Sequence, residues 1–116
     1  MDPGEPVYRD FLLEQARRHI EALPDAGGIS IDRLDWLRMY NEHRDDGESW
    51  FAGGPARSLL TSWRALLIPL GEMIHRAGKV IFVNNHVKRI DLLDGVDGIF
   101  DEFGRYGAAL NTTALG

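Results

Sequence analysis

Residues 79–86 read Lys79-Val80-Ile81-Phe82-Val83-Asn84-Asn85-His86. The segment 80–83 is apolar at every position and rich in β-branched residues, which favours a strand over a helix turn of the same length. A strand sends alternate side chains to opposite faces, so an unbroken apolar run predicts a strand covered on both faces, as in a parallel sheet. The polar triplet Asn84-Asn85-His86 then falls at its C-terminal end.

Upstream, Leu59, Trp63, Leu66, Leu67, Leu70, Met73 and Ile74 recur at helical spacing and form the clearest amphipathic stripe in the chain. Gly53-Gly54-Pro55 is read as the entry to this helix, with proline near its first position. Pro69 is expected to kink it and Gly78 to end it. Downstream, residues 87–93 carry Val87, Ile90 and Leu93 and predict a short helix, broken at Gly95. Val96-Asp97-Gly98-Ile99-Phe100-Asp101 reads as a further strand.

The N-terminal third supplies the remaining elements. Pro6 opens a helix over 6–23 whose apolar positions are Phe11, Leu12, Ala16, Ile20 and Leu23, and Pro24 with Gly27-Gly28 stops it. Gly28-Ile29-Ser30-Ile31-Asp32 follows as an alternating strand. From Arg33 to Phe51 no period is sustained, and Asp45-Asp46-Gly47 is a turn signal, so this stretch is expected to be a long loop with one helical turn at most. Strands alternating with helices imply an α/β fold with a right-handed parallel sheet.

Composition narrows the function classes. The chain has 116 residues and a formal charge of −5, which argues against a sequence-independent grip on nucleic acid or anionic lipid. Hydrophobic residues make up 44% and charged residues 27%, a globular balance. There is no cysteine, which excludes disulfides, thiolate metal sites and a cysteine nucleophile. No secretory signal and no membrane-length apolar stretch is visible, and with the lack of cysteine this predicts a soluble, cytoplasmic protein.

Each expected strand ends in polar residues: Asp32, Arg33 and Asp35; then Asn84, Asn85 and His86; then Asp101 and Glu102. In α/β folds that edge binds ligands, because loops converge there on a rigid sheet. Side-chain alternation adds a geometric expectation. Ile29 and Ile31 should face the helices, leaving Ser30 and Asp32 on the other face; Val96 and Phe100 should likewise face the helices, leaving Asp97, Ile99 and Asp101 opposite. Asp32 and Asp101 would then project into one space from strands two places apart, with backbones roughly 10 Å apart. Leaning side chains would close the carboxylates to about 5–9 Å, the separation used by glycosidase acid/base pairs. Glu102 is the rival for the second role.

Asp2-Pro3-Gly4 before the first helix, Gly-Ile-Ser-Ile-Asp-Arg-Leu-Asp-Trp at 28–36 and Val-Asp-Gly-Ile-Phe-Asp-Glu-Phe-Gly at 96–104 together resemble the central part of a glycoside-hydrolase-type (β/α)₈ barrel. The resemblance covers about residues 2–113 and extends, more remotely, to the α-galactosidase (melibiase) superfamily. It implies Asp32 as carboxylate nucleophile, Asp101 as acid/base, and Arg33, Asp35, Trp36 and Asn84 as sugar contacts. It further implies a single truncated barrel domain over 1–116: the first helix within 1–27, a βαβαβ unit over 28–104 and a weakly structured tail over 105–116. A closed barrel needs about 200–250 residues and eight strands, and this chain offers three. An open fragment exposes sheet edges and apolar surface, so self-association is expected, a homodimer first, through the sheet edges or the Leu/Trp helix stripe.

Other signals have plainer readings. The histidines show no paired ligand spacing, so no metal and no cofactor is expected. His86 is the exception by position, and with Asp32 and Asp101 it leaves open a metal-assisted ester or phosphoester hydrolase; a non-catalytic, self-associating fragment is the other alternative. Tyr40, Trp50 and Phe51 beside the acidic loop suit either sugar stacking or packing among themselves, and Glu42-His43-Arg44-Asp45-Asp46 reads as an ion-paired surface.

Overall fold

A computed structural model of the chain describes residues 1–32, 39–84 and 90–100. Helix α1 spans Pro6–Ala22, with proline in its first turn. Strand β1 follows at Gly28–Ile31. A small antiparallel unit of β2 (Tyr40–Asn41), β3 (Ser49–Phe51) and β4 (Gly54–Ser58) comes next, then helix α2 (Leu59–Arg76), strand β5 (Val80–Asn84), a 3₁₀ turn at Ile90–Gly95 and strand β6 (Gly98–Phe100).

The parallel sheet has the order β1-β5-β6. Its register pairs Ile29 with Ile81, Ile31 with Val83, Val83 with Ile99, and Asn84 with Phe100. One face carries the core: Leu67, Leu70 and Ile74 of α2, Ile81 and Leu92 are buried together, with Leu13, Ala16, Ile20, Ile29 and Ile31 packed against them. The aliphatic stripe of α2 is thus turned onto the sheet, as its spacing predicts. Burying such side chains contributes about 1.5–3 kcal/mol each, and this outweighs the missing hydrogen bond at Pro69, through which α2 continues. On α1 the covered positions are Leu13, Ala16 and Ile20, while Phe11 (55% exposed) and Leu23 lie outside the contact.

The opposite face of the sheet is open. Val80 and Phe82 are 42% and 40% exposed, so β5 is covered on one face and not on both as its apolar run suggests. A shallow hollow there is lined by Gly28, Ile29, Ser30, Val80, Phe82 and Phe100.

The alternation expected for the third strand is reversed. Gly98 stands opposite Phe82, and a Cβ on Gly98 would lie 2.2 Å from the Phe82 ring, so both share the open face. Ile99 therefore shares the core face of Val83, and Phe100 is 59% exposed on the open side. The reason lies at Asp97. Its N–H donates to the Ile81 carbonyl at 2.9 Å, and its Oδ2 accepts the Ile81 N–H and His75 Nε2, each at 2.8 Å. A polar residue can sit on the helix side because the strand start and the last turn of α2 supply its partners.

The second departure is between β1 and α2. Gly53-Gly54-Pro55 does not open the helix; it leaves a β-hairpin. Ala52 (φ 51°) and Gly53 (φ 83°) form its two-residue turn, and positive φ at both positions is the type I′ geometry that matches strand twist. Pro55 pairs with Trp50, one step beyond the hydrogen-bonded pair Phe51–Gly54, so its missing N–H interrupts no bond to β3. The helix begins after Ser58, whose hydroxyl caps the Leu60 N–H at 3.3 Å. The region expected to be an irregular loop thus holds β2 and β3. Of the short helix expected over 87–93, residues 87–89 lie outside the described residues, as does the expected tail over 105–116, and the remainder falls in a 3₁₀ turn at Ile90–Gly95. No helix among the described residues is long and apolar enough to cross a membrane.

Candidate functional site

Helices that return antiparallel to their strands bring their N-termini to the strands' C-terminal ends. That end of the molecule therefore gathers the end of β1, the end of β5, the starts of α1 and α2, and the small antiparallel sheet between them. Asp32 follows β1 and is exposed. Asn84 is the last residue of β5, one step past the Ile31–Val83 pair, and its Nδ2 donates to Asp32 Oδ1 at 2.8 Å. The contact continues the β1–β5 register, since Asp32 and Asn84 each follow the Ile31–Val83 pair by one residue.

This arrangement holds a carboxylate by one oxygen at a sheet edge. Asp32 is exposed, and one of its carboxylate oxygens is bonded to the Asn84 amide. Of the residues that the sequence nominates, Asp32 and Asn84 are brought together. Arg33, Asp35, Trp36, Asn85, His86, Asp101 and Glu102 lie outside the described residues, and so does the expected approach of Asp101 to Asp32.

A second constellation was not nominated by the sequence. Asp2 is only 9% exposed. Its Oδ1 accepts the Gly4 N–H at 2.8 Å, and its Oδ2 accepts Asn41 Nδ2 at 2.7 Å and Arg57 Nε at 3.0 Å. Burial pushes the Asp2 carboxyl up, but hydrogen bonds from Asn41 and Gly4 and the charge of Arg57 outweigh it and hold it below the usual range. Glu5 extends the network by pairing with Arg44 at 2.7 Å and with Arg57; the Arg44 bond is the main reason its carboxyl is also lowered. These pairs fasten the start of α1 to β4 and the loop after β2. Asp2-Pro3-Gly4 carries a local clue, since an aspartate two residues before a glycine favours this side-chain turn. The distant partners Asn41 and Arg57 had no such signal.

Asp46 performs a similar service for the hairpin. Its carboxylate accepts the Ser58 and Ser49 N–H groups at 2.8 and 2.7 Å and the Ser49 hydroxyl at 2.7 Å. The Ser58 bond leads in holding its carboxyl far below the usual range. The acidic run is therefore partly a structural clamp, while Arg44 fits the ion-paired reading. Trp50 is 68% exposed. Tyr40 and Phe51 stack on each other, with centroids 4.9 Å apart and planes inclined by 17°. They line a pocket of about 470 Å³ with Met1, Asp2, Asn41, Glu42, His43 and Leu59. Among the described residues no cluster of three acidic or histidine side chains is placed to hold a metal ion.

What the chain presents is a mixed α/β fold whose three-stranded parallel sheet ends in an Asp–Asn pair, together with a pocket walled by a small antiparallel sheet that shares no lining residue with that pair. Comparison with protein-family models, with curated proteins and with solved structures found no match to this chain.

Proposed function

We propose that the chain is a glycoside-directed hydrolase, or the portion of one that bears the acidic strand ends, built as part of a (β/α)₈-type barrel. The observation that carries this reading is the Asn84–Asp32 hydrogen bond at the carboxyl-terminal end of a sequentially ordered parallel sheet. Helices packed on one face only, with the other face open, are what a barrel segment requires, since the second face is its interior. In this reading Asp32 is the nucleophile or charge stabiliser, Asp101 the proton donor and Glu102 its substitute. Arg33, Asp35, Trp36, Asn84, Asn85 and His86 contact the sugar.

The open face bearing Val80, Phe82 and Phe100 favours a second reading, in which the chain covers that surface by self-association and turns nothing over. The α2 stripe is spent on the chain's own core, so an interface would use the open sheet face or its edges. Light scattering for solution mass, with hydrolysis of chromogenic glycosides and esters on the same sample, separates the two. Glycoside turnover supports the hydrolase. A discrete oligomer without turnover supports the structural fragment, and ester turnover that chelator abolishes supports neither.

A further inference from the structure

The pocket between the first residues of the chain and the small antiparallel sheet has chemistry of its own. At about 470 Å³ it lies in the range that holds a small organic ligand. Half of its lining stands on regular elements, since Tyr40 and Asn41 form β2, Phe51 ends β3 and Leu59 begins α2, while Met1, Asp2, Glu42 and His43 lie outside them. Asp2 is fixed by the Gly4 N–H, Asn41 and Arg57. The wall formed by Tyr40, Asn41, Phe51, Leu59 and Asp2 therefore loses little ordering entropy when a ligand binds.

The wall chemistry selects the ligand. Phe51, Leu59 and the stacked Tyr40 give one apolar, π-rich side. The other side holds Asp2, already paired with Arg57, and the exposed carboxylate of Glu42, with Met1 and His43 completing the lining. The nearby guanidinium groups are already committed, Arg44 to Glu5 and Arg57 to Asp2 and Glu5, and neither lines the pocket. Glu42 has no ion-pair partner among the described residues and is exposed. An anion approaching the Glu42 side would meet its carboxylate and the negative faces of the rings, with His43 and Met1 at the same pocket. A cation would find a free carboxylate and an aromatic surface, two attractions that reinforce each other when water is displaced.

We infer that this pocket binds a small organic cation, an amine carried on an aromatic or apolar body, with Glu42 as counter-ion and Tyr40 and Phe51 as the surface for the body. The site is separate from the Asp32–Asn84 pair and does not depend on a hydrolytic role for the chain.

The test is a titration followed by amide NMR, using benzylamine, its neutral analogue benzyl alcohol and methyl β-glucoside. Saturable shifts confined to residues such as Asn41, His43, Phe51 and Leu59 are expected with benzylamine, and weaker ones with benzyl alcohol. Glu42→Gln, an exposed change that leaves the rest of the spectrum in place, should weaken benzylamine binding by about threefold, as one solvent-facing ion pair warrants. It should leave benzyl alcohol unaffected. Phe51→Ala should reduce binding of both. No saturable shift with benzylamine overturns the inference. Equal affinity for benzylamine and benzyl alcohol overturns the role of charge, and binding of the glucoside without the amine reassigns the pocket to neutral polyols.

Discussion

Gly71 lies in the middle of α2 and is buried against the 3₁₀ turn. Replacing a helical glycine by alanine ordinarily stabilises the helix by about 1 kcal/mol, because the glycine backbone has more freedom to lose. Here a Cβ would lie 2.7 Å from the Gly95 carbonyl oxygen and 3.1 Å from the Gly95 Cα. These are backbone atoms, so relief requires the 3₁₀ turn to move away and to lift Leu92, 3% exposed, out of the core. Overpacking of this kind costs up to about 3 kcal/mol. The balance is a net loss of about 2 kcal/mol for Gly71→Ala, or roughly 8 °C in Tm for a domain of this size. Gly27→Ala is the matched control. Its Cβ would meet nothing within 4 Å and its φ is not left-handed, so it should be neutral or raise stability by up to about 1 kcal/mol. Thermal and urea unfolding of the two variants beside wild type checks both signs. A Gly71→Ala protein as stable as wild type, or more so, would refute the packing of α2 on the 3₁₀ turn.

Three further outcomes follow from the same structure. Ala52→Asn places a residue that tolerates positive φ at the first turn position of the hairpin, and should stabilise the protein by about 0.5–1 kcal/mol in urea unfolding. Arg57→Ala leaves the enclosed Asp2 carboxylate without its cation and should cost about 2 kcal/mol, read as a lower urea midpoint. For Asp97, the Ile81 N–H and then His75 lower the folded carboxyl below its unfolded value despite some desolvation. The stabilisation is therefore complete above the unfolded carboxylate pKa of about 4 and is lost as pH falls below it. The Tm gap between wild type and Asp97→Asn should be full at pH 6 and shrink on acidification; a gap that is constant down to pH 3 would contradict the assignment.

The parts of the fold legible in the sequence are those written in local periodicity. Leu66, Leu67, Leu70 and Ile74 mark the buried face of α2, and Ile29 and Ile31 mark that of β1, because each repeats at the period of its own element. The face of β6 was misread because Phe100 is large and apolar while Asp97 is charged. Alternation alone cannot know that Ile81 and His75 supply hydrogen bonds to Asp97 on the helix side. The hairpin was misread for a related reason. Gly-Gly-Pro before an amphipathic stretch is a sound helix entry, but Ser58 offers a hydroxyl cap and Ala52-Gly53 a tight turn, and together these move the helix start to Leu59. Asn84 was legible as a strand-end residue, and register alone then sets it beside Asp32. The Asp2–Asn41–Arg57 network joins residues far apart in sequence, which no spacing announces.

Under the proposed function, the carboxyl-terminal edge of the parallel sheet performs hydrolysis through Asp32. The most direct test compares wild type with Asp32→Asn on a panel of chromogenic glycosides, with solution mass and Tm recorded for both. Asp32 is exposed, so the substitution should leave mass and Tm near wild type while abolishing turnover. Turnover that survives in Asp32→Asn, or a wild-type protein that cleaves no glycoside in any assembly state, would contradict the account.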